Sequence, residues 1–133
     1  MAHPRMYDDD DPLLARLRDL CAALPESVEK ESWGRPTFRV ARMYATYGVG
    51  AAAGQPEQPH ALIFRPDDDE RPALLDDARF WAPPYHGPAG WLALDLARDV
   101  DWDEVGELLA SSYRQAAPAR LVARLDAERS SGT

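Results

Sequence analysis

The stretch from Phe80 to Leu96 constrains the fold most, because it joins a proline-rich aromatic loop to a strand of alternating polarity. Prolines and glycines are dense up to Gly90, and that density predicts an irregular loop. From Trp91 onward, leucine occupies positions 92, 94 and 96, so these side chains share one face of a strand. The pattern predicts a sheet that is packed on one side.

Helical patterns precede and follow the predicted strands. Asp11-Pro12 is a strong helix start, since aspartate caps free amides and proline is tolerated at the first helical position. An apolar stripe follows it. Asp101 to Glu104 reads as a capping box that opens a second long helix, and Pro118 starts a last one. The stripe of the first helix consists of Leu13, Leu17, Leu20, Cys21 and Leu24.

Short segments rich in aromatic and β-branched residues predict the strands. We expect Glu26–Arg35 to be a connecting segment and residues 67–77 to carry a short acidic helix. The fold class is therefore α+β, with two layers and an antiparallel sheet of about five strands with helices on one face. The predicted strands are Thr37–Ala41, Met43–Tyr47, His60–Arg65, Phe80–Ala82 and Trp91–Leu96.

The same alternation predicts which side chains leave the core. Phe38 and Val40 are expected to face the helices, as are the leucines of the last strand. The open face of the sheet is then expected to display Arg39, Trp91, Asp95 and Tyr44. We expect residues 1–10 to be a disordered tail, 11–128 a single domain and 129–133 a loose tail.

The composition limits the classes of partner. The formal net charge of −8 opposes nucleic-acid binding, so DNA would require a local basic patch. No apolar run is long enough to span a membrane, and the N-terminus lacks the apolar core of a signal peptide. These features, with Cys21 as the one cysteine, predict a cytoplasmic protein without a membrane partner. The oligomeric state stays open.

No catalytic, cofactor or metal motif is complete. Residues 48–54 mimic a dinucleotide fingerprint, but the prolines that follow exclude the helix that such a site requires. Cys21 lies on an apolar stripe and is expected to be a buried structural thiol. The acidic clusters favour helix capping over cation binding. We therefore expect no cofactor, no metal and no enzymatic activity, unless His86 converges with a carboxylate such as Asp95.

Four segments, given at the end of this paragraph, resemble the MmcQ/YjbR family in their sequence and order, and the likeness covers about residues 12–127. The resemblance implies a frataxin-like two-layer fold, and members of the family are commonly described as DNA-binding. Such members often carry basic residues where Pro88 and Ala89 stand here. The segments are Ser-Trp-Gly-Arg-Pro-Thr-Phe-Arg-Val at 32–40, Met-Tyr-Ala at 43–45, the strand and acidic helix at 62–77, and Phe-Trp-Ala-Pro-Pro-Tyr-His-Gly-x-x-Gly-Trp-Leu at 80–92.

Two binding functions follow from these observations. The first is a non-enzymatic DNA-binding module, because arginines beside aromatic rings can hold phosphates and stack bases. The alternative is a small-molecule or natural-product binding domain with an aromatic pocket around Trp33, Trp81, Tyr85, His86 and Trp91. The predicted binding residues are Trp33, Arg35, Arg39, Arg42, Tyr85, His86 and Trp91.

Overall fold

The computed structural model describes residues 4–52 and 54–131 of the chain. Six antiparallel strands form one sheet in the order β1-β2-β3-β4-β6-β5. The α+β class is confirmed, and the sheet has six strands rather than about five. The elements are α1 (Pro12–Ala22), β1 (Val28–Ser32), β2 (Arg35–Val40), β3 (Arg42–Val49), β4 (Gln58–Phe64), α2 (Arg71–Leu75), β5 (Phe80–Trp81), a 3₁₀ turn (Gly87–Ala89), β6 (Leu92–Asp95), α3 (Trp102–Ala116) and α4 (Ala119–Ser131).

The additional strand is β1, which lies within the segment expected to be a connection. It pairs with β2 from Val28↔Arg39 to Ser32↔Arg35. As an edge strand it is largely exposed along its length, so its sequence carries no apolar alternation. Pattern reading therefore missed it, because the signal for a strand is the burial of one face.

The helices cover one face of the sheet, where they bury the main core. The side chain of Asp11 accepts a hydrogen bond from the Leu13 amide and caps α1 as expected. Asp101 caps α3 in the same way. Glu104 was expected to complete a capping box, but its carboxylate bonds Arg79 at 2.7 Å. Asp101 therefore makes its half of the predicted capping box, whereas Glu104 forms an ion pair with Arg79 next to β5.

A β-bulge changes the expected orientation of Tyr44. Phe38 pairs with Ala45 and Arg39 with Met43, so β3 contains one extra residue at this point. Tyr44 is that residue, and it is 1% exposed in the core under the helices. The expectation that Tyr44 lies on the open face is wrong, because the bulge lets two consecutive side chains face the helices.

The face opposite the helices is not bare. Ala61, Ile63 and Ala93 on it are buried, and Trp81 and Trp91 pack over them. Cross-strand pairs Ile63↔Ala93 and Ala93↔Trp81 place these residues on one surface. The expectation of a free reverse face is therefore corrected: small side chains in the sheet are covered by aromatic ones. Of the residues expected there, Asp95 and Arg39 are half-buried.

The segment before α1 contacts the β1–β2 hairpin. The Met6 amide donates to the Gly34 carbonyl at 2.8 Å, and the Tyr7 hydroxyl bonds Glu31 at 2.8 Å. At the other terminus, α4 continues to Ser131, past the boundary expected at 128. The expected tails also include residues 1–3 and 132–133, which lie outside the described residues, and the domain limits stay a prediction.

Candidate functional site

A cavity of about 410 Å³ opens where β3 begins and β4 ends. The turn before β6 forms one wall, and the C-terminal half of α3 forms another. Its volume lies within the range of about 300–1,000 Å³ that is typical of ligand pockets. The lining residues are Arg42, Met43, Tyr44, Arg65, Ala89, Trp91, Ser112, Gln115 and Ala116.

Hydrogen bonds from α3 hold this cavity together. The Gln115 side chain donates to the Arg65 carbonyl at 2.7 Å, and the Gln115 backbone carbonyl accepts from the Arg42 guanidinium at 2.6 Å. Ser112 accepts from the Arg65 amide at 3.0 Å and donates to the Tyr44 carbonyl at 2.5 Å. Ser112 and Gln115 on one face of α3 thus fix the backbone of β3, which carries Arg42, and of Arg65, which follows β4.

The arginines divide into two groups by their partners. The chain has fifteen basic residues, Lys30 and fourteen arginines. Eight arginines form ion pairs with carboxylates among the described residues: Arg5, Arg18, Arg79, Arg98, Arg114, Arg120, Arg124 and Arg129. Arg42 and Arg65 are not among these eight, and neither are Arg35 and Arg39. The cavity therefore contains cations that the chain's own described carboxylates do not neutralise.

A second groove shows the opposite charge. It measures about 520 Å³ and shares Gln115 with the cavity. Asp67, Glu70, Glu104 and Glu107 line it, with Arg114, which is paired with Asp126. Glu104 and Glu107 are paired with Arg79 and Arg129, whereas Asp67 and Glu70 form no ion pair among the described residues, so the lining of the groove is more acidic than that of the cavity.

Arg35 and Arg39 lie on β2, on the face opposite the helices. Arg39 donates to the Thr37 hydroxyl at 3.0 Å, and its strand partner Met43 lines the cavity. The Arg35 guanidinium lies over Gly48, where φ is +95° and a Cβ would collide with it. Burial lowers the pKa of Arg35, and Glu57 opposes that effect. The glycine at 48 thus makes room for an arginine.

The loop before β6 presents aromatic rings that pack edge-on or tilted against one another. The His86 ring lies 5.9 Å from the rings of both Tyr85 and Trp91. Tyr85 is 95% exposed and has a φ of +78°. Burial lowers the pKa of His86, which favours the neutral imidazole. The His86 ring therefore packs beside the Trp91 ring, and Trp91 lines the cavity.

The structure separates the predicted binding residues into two ends of the sheet. Arg42 and Trp91 line the cavity, with Arg39 and His86 next to its walls. Trp33 lies in the β1–β2 turn at the opposite end and is 80% exposed. An aromatic pocket that combines Trp33 with Trp81 and Trp91 is not formed, since these residues lie at different edges and ends of the sheet.

His86 and Asp95 are also kept apart. The Trp91 amide donates to the His86 carbonyl just before β6 begins, and Asp95 is the last residue of β6. The strand from Trp91 to Asp95 spans about 13 Å. Asp95 accepts from the Ala97 amide and faces Arg98. The convergence that would have indicated catalysis is therefore absent from the described residues.

Sequence reasoning missed the α3 side of the cavity. Ser112, Gln115 and Ala116 have the i, i+3, i+4 spacing of one helical face, but that spacing predicted only core packing. Polar residues within a largely apolar stripe were the available signal. Arg65 is not among the predicted binding residues, because it meets Ala89 and Gly90 only in the folded chain.

At the other end of the sheet, three polar side chains meet. Tyr47 bonds both Asp11 and His60, at 2.6 and 2.9 Å, and the His60 ring lies 3.1 Å from Asp11. Among residues 4–52 and 54–131, no group of three or more His, Cys, Asp or Glu side chains is arranged to hold a metal ion. In the same ranges, every helix is too short or too polar to cross a membrane.

The fold and the cavity define a small α+β protein with a six-stranded antiparallel sheet. The YjbR family model matches residues 22–115, and the chain belongs to this family. The sequence resemblance is thereby confirmed at the level of the family. The frataxin-like description stays a prediction.

Two solved structures share the fold. A Deinococcus radiodurans protein with a DUF419 domain has a TM-score of 0.61 and 24% identity, over 75% of each chain. A Pseudomonas syringae protein has a TM-score of 0.62 and 12% identity, over 77% of this chain and 97% of that one. The search of curated proteins finds no match.

Proposed function

We propose that this chain is a non-enzymatic binding protein for a small organic molecule, held in the cavity between α3, the start of β3 and the turn before β6. One observation carries the proposal: a ligand-sized cavity joins two arginines, Arg42 and Arg65, to the ring of Trp91. The proposal develops the small-molecule alternative of the sequence analysis, with a different set of lining residues.

Binding fits these residues better than catalysis. His86, the residue first considered as a general base, contacts the rings of Tyr85 and Trp91 and lies far along the sheet from Asp95. A general base needs hydrogen-bond reach to the proton that it removes. The groups that line the cavity are suited to charge complementarity and stacking.

A cavity-filling substitution tests this function. Ala89 is exposed and lines the cavity, so Ala89→Trp should fill the cavity without disturbing the core. Ala73→Trp on exposed α2 is the matched control. We expect compounds from an aromatic metabolite library to raise the melting temperature of the wild type and of Ala73→Trp, and not of Ala89→Trp. Equal shifts in all three proteins, or no shift in the wild type, would reject the proposal.

DNA binding is the second candidate, supported by Arg35, Arg39, Arg42 and Arg65, which form no ion pair with the carboxylates that the structure describes. The net charge of −8 opposes it, because phosphate neutralisation dominates such affinity. The test is a titration of labelled duplex DNA at 20 mM and 200 mM salt. Binding that weakens steeply with salt and is lost in Arg35→Gln/Arg39→Gln would support it, whereas no binding at the lower salt would remove it.

A further inference from the structure

We infer that the cavity takes an anionic aromatic molecule, with its carboxylate or phosphate between Arg42 and Arg65 and its ring system against Trp91. The inference rests on the proposed function and specifies the class of ligand. A carboxylate and a phosphate share the chemistry that arginine recognises, since each can accept two parallel N–H bonds.

The charge of the lining carries the first step. Its nine residues include two arginines and no carboxylate, within a chain that has 23 acidic residues. The adjacent groove collects four carboxylates instead. Arg42 is exposed and Arg65 is half-buried, so an anion that enters the cavity would meet positive charge with no carboxylate in the lining. The arginines of this cavity therefore differ from the eight that are neutralised by ion pairs.

The donors of these arginines carry the second step. A guanidinium has five N–H donors. Arg42 uses its guanidinium in a bond to the Gln115 carbonyl, and the remaining donors are available. The Arg65 Nε is buried and has no hydrogen-bond partner among the described residues. A buried donor without an acceptor is unfavourable, so the described residues do not satisfy the Arg65 guanidinium in full.

Preorganisation carries the third step. The Gln115 side chain bonds the Arg65 backbone carbonyl, and the Gln115 backbone carbonyl bonds the Arg42 guanidinium, so one residue of α3 holds the Arg42 charge and the Arg65 backbone. Ser112 fixes the Arg65 amide from the preceding turn. Groups held in place before binding lose less freedom when a ligand arrives.

The aromatic part of the ligand follows from the Trp91 ring, with Met43 in the same lining. Trp91 is held by the His86 ring on one side and packs against the Ala93 cluster. A rigid ring offers a large contact area at little ordering cost. A planar ligand would gain this contact, whereas an isolated inorganic anion would not.

The experiment uses three probes that differ only in the polar group: 2-naphthoate, 2-naphthyl phosphate and the neutral 2-naphthylmethanol. Binding to the full ¹⁵N-labelled chain is followed by the shifts of the Trp91 indole and Gln115 side-chain amide signals. We expect both anions to bind at least about tenfold more tightly than the alcohol, as charge-assisted hydrogen bonds predict. Preference between the two anions distinguishes a carboxylate ligand from a phosphate one.

A pair of isosteric variants isolates the charge. Ala89→Glu places a carboxylate at the cavity and should weaken both anions about tenfold more than the isosteric Ala89→Gln does, because only the former adds a like charge. Arg42→Met should weaken them similarly, and Arg98→Met, the same change of charge at a distant exposed site, should not.

The outcomes separate this inference from the proposed function. If the alcohol perturbs Trp91 and Gln115 as strongly as the anions do, the cavity binds small molecules but the anionic class is wrong. If Ala89→Glu and Ala89→Gln behave alike, the charge inference also fails. If no probe shifts any cavity signal, both the inference and the small-molecule function are rejected.

Discussion

Cys21 and Tyr44 illustrate how single residues are fixed by burial rather than by chemistry. Each is 1% exposed, and both belong to the main core under the helices. Burial raises the pKa of the Cys21 thiol to about 12, so the thiolate is scarce at neutral pH. This confirms the expectation of a buried structural thiol.

The reactivity of Cys21 should therefore report unfolding. At pH 8 we expect a thiol reagent to modify the native protein at least about a thousandfold more slowly than the denatured one, because thiolate and access are both limiting. An Ala73→Cys variant, exposed on α2, provides the control for an accessible thiol. Rapid modification of native Cys21 would show that α1 does not cover it in solution.

Asp11 stabilises the folded protein through the negative charge of its carboxylate. Burial would raise the pKa of Asp11, but the hydrogen bonds from Tyr47 and the Leu13 amide outweigh that effect, and the pKa is lowered. A lowered folded-state pKa stabilises the protein above the unfolded value, near 3.8, and this contribution is lost as pH falls through the folded value.

Asp11→Asn should therefore destabilise the protein mainly at neutral pH. The variant keeps a capping side chain but loses the charge, so we expect a loss of about 1 kcal/mol at pH 7. The difference from wild type should shrink below pH 4, as the wild-type carboxylate becomes protonated. Urea unfolding at pH 7, 5 and 3 measures it, with Asp10→Asn as the matched control. A difference that is constant over this range would contradict the role of the charge.

At the scale of elements, Ser112 connects α3 to two strands. Its hydroxyl accepts from the Arg65 amide and donates to the Tyr44 carbonyl, and it is 1% exposed. Both backbone groups would lose this partner in Ser112→Ala. An unsatisfied buried group costs about 1–3 kcal/mol, so we expect a loss of stability of that size.

The neighbouring Ser111→Ala is the control for this prediction. Ser111 is only half-buried in the same helix, and alanine has a higher helix propensity than serine. Chemical denaturation of the two variants should separate them by more than about 1 kcal/mol. If they are equally stable, Ser112 does not connect the helix to the sheet as described.

The sequence predicted the elements whose faces differ in polarity. The stripe of α1 and the leucines of β6 carry that difference, and both elements were predicted correctly. Strand β1 was missed because exposure on both sides leaves no pattern, and Tyr44 was misplaced because one bulge residue shifts the alternation. Half of the cavity was also missed, because Gln115 gains its role from contacts with residues 50 or more positions away.

For the whole molecule, the balance between global and local charge decides how ligands arrive. The net charge of −8 repels anions at long range, whereas Arg42 and Arg65 attract them at short range. Salt screens exposed charges separated by more than about 10 Å at 0.1 M and screens partly buried contacts much less. The two effects therefore respond differently to ionic strength.

The affinity for an anionic probe should accordingly be nearly independent of salt. Between 20 and 200 mM salt, we expect the dissociation constant of 2-naphthoate to change by less than about threefold, because screening of the long-range repulsion offsets screening of the contacts. A DNA-binding surface behaves differently, since each neutralised phosphate adds to a steep loss of affinity with salt. Titration of the Trp91 indole signal at four salt concentrations measures this dependence. A fall of tenfold or more would mean that exposed charges hold the probe, and the site would then be the arginine surface of the sheet rather than the cavity.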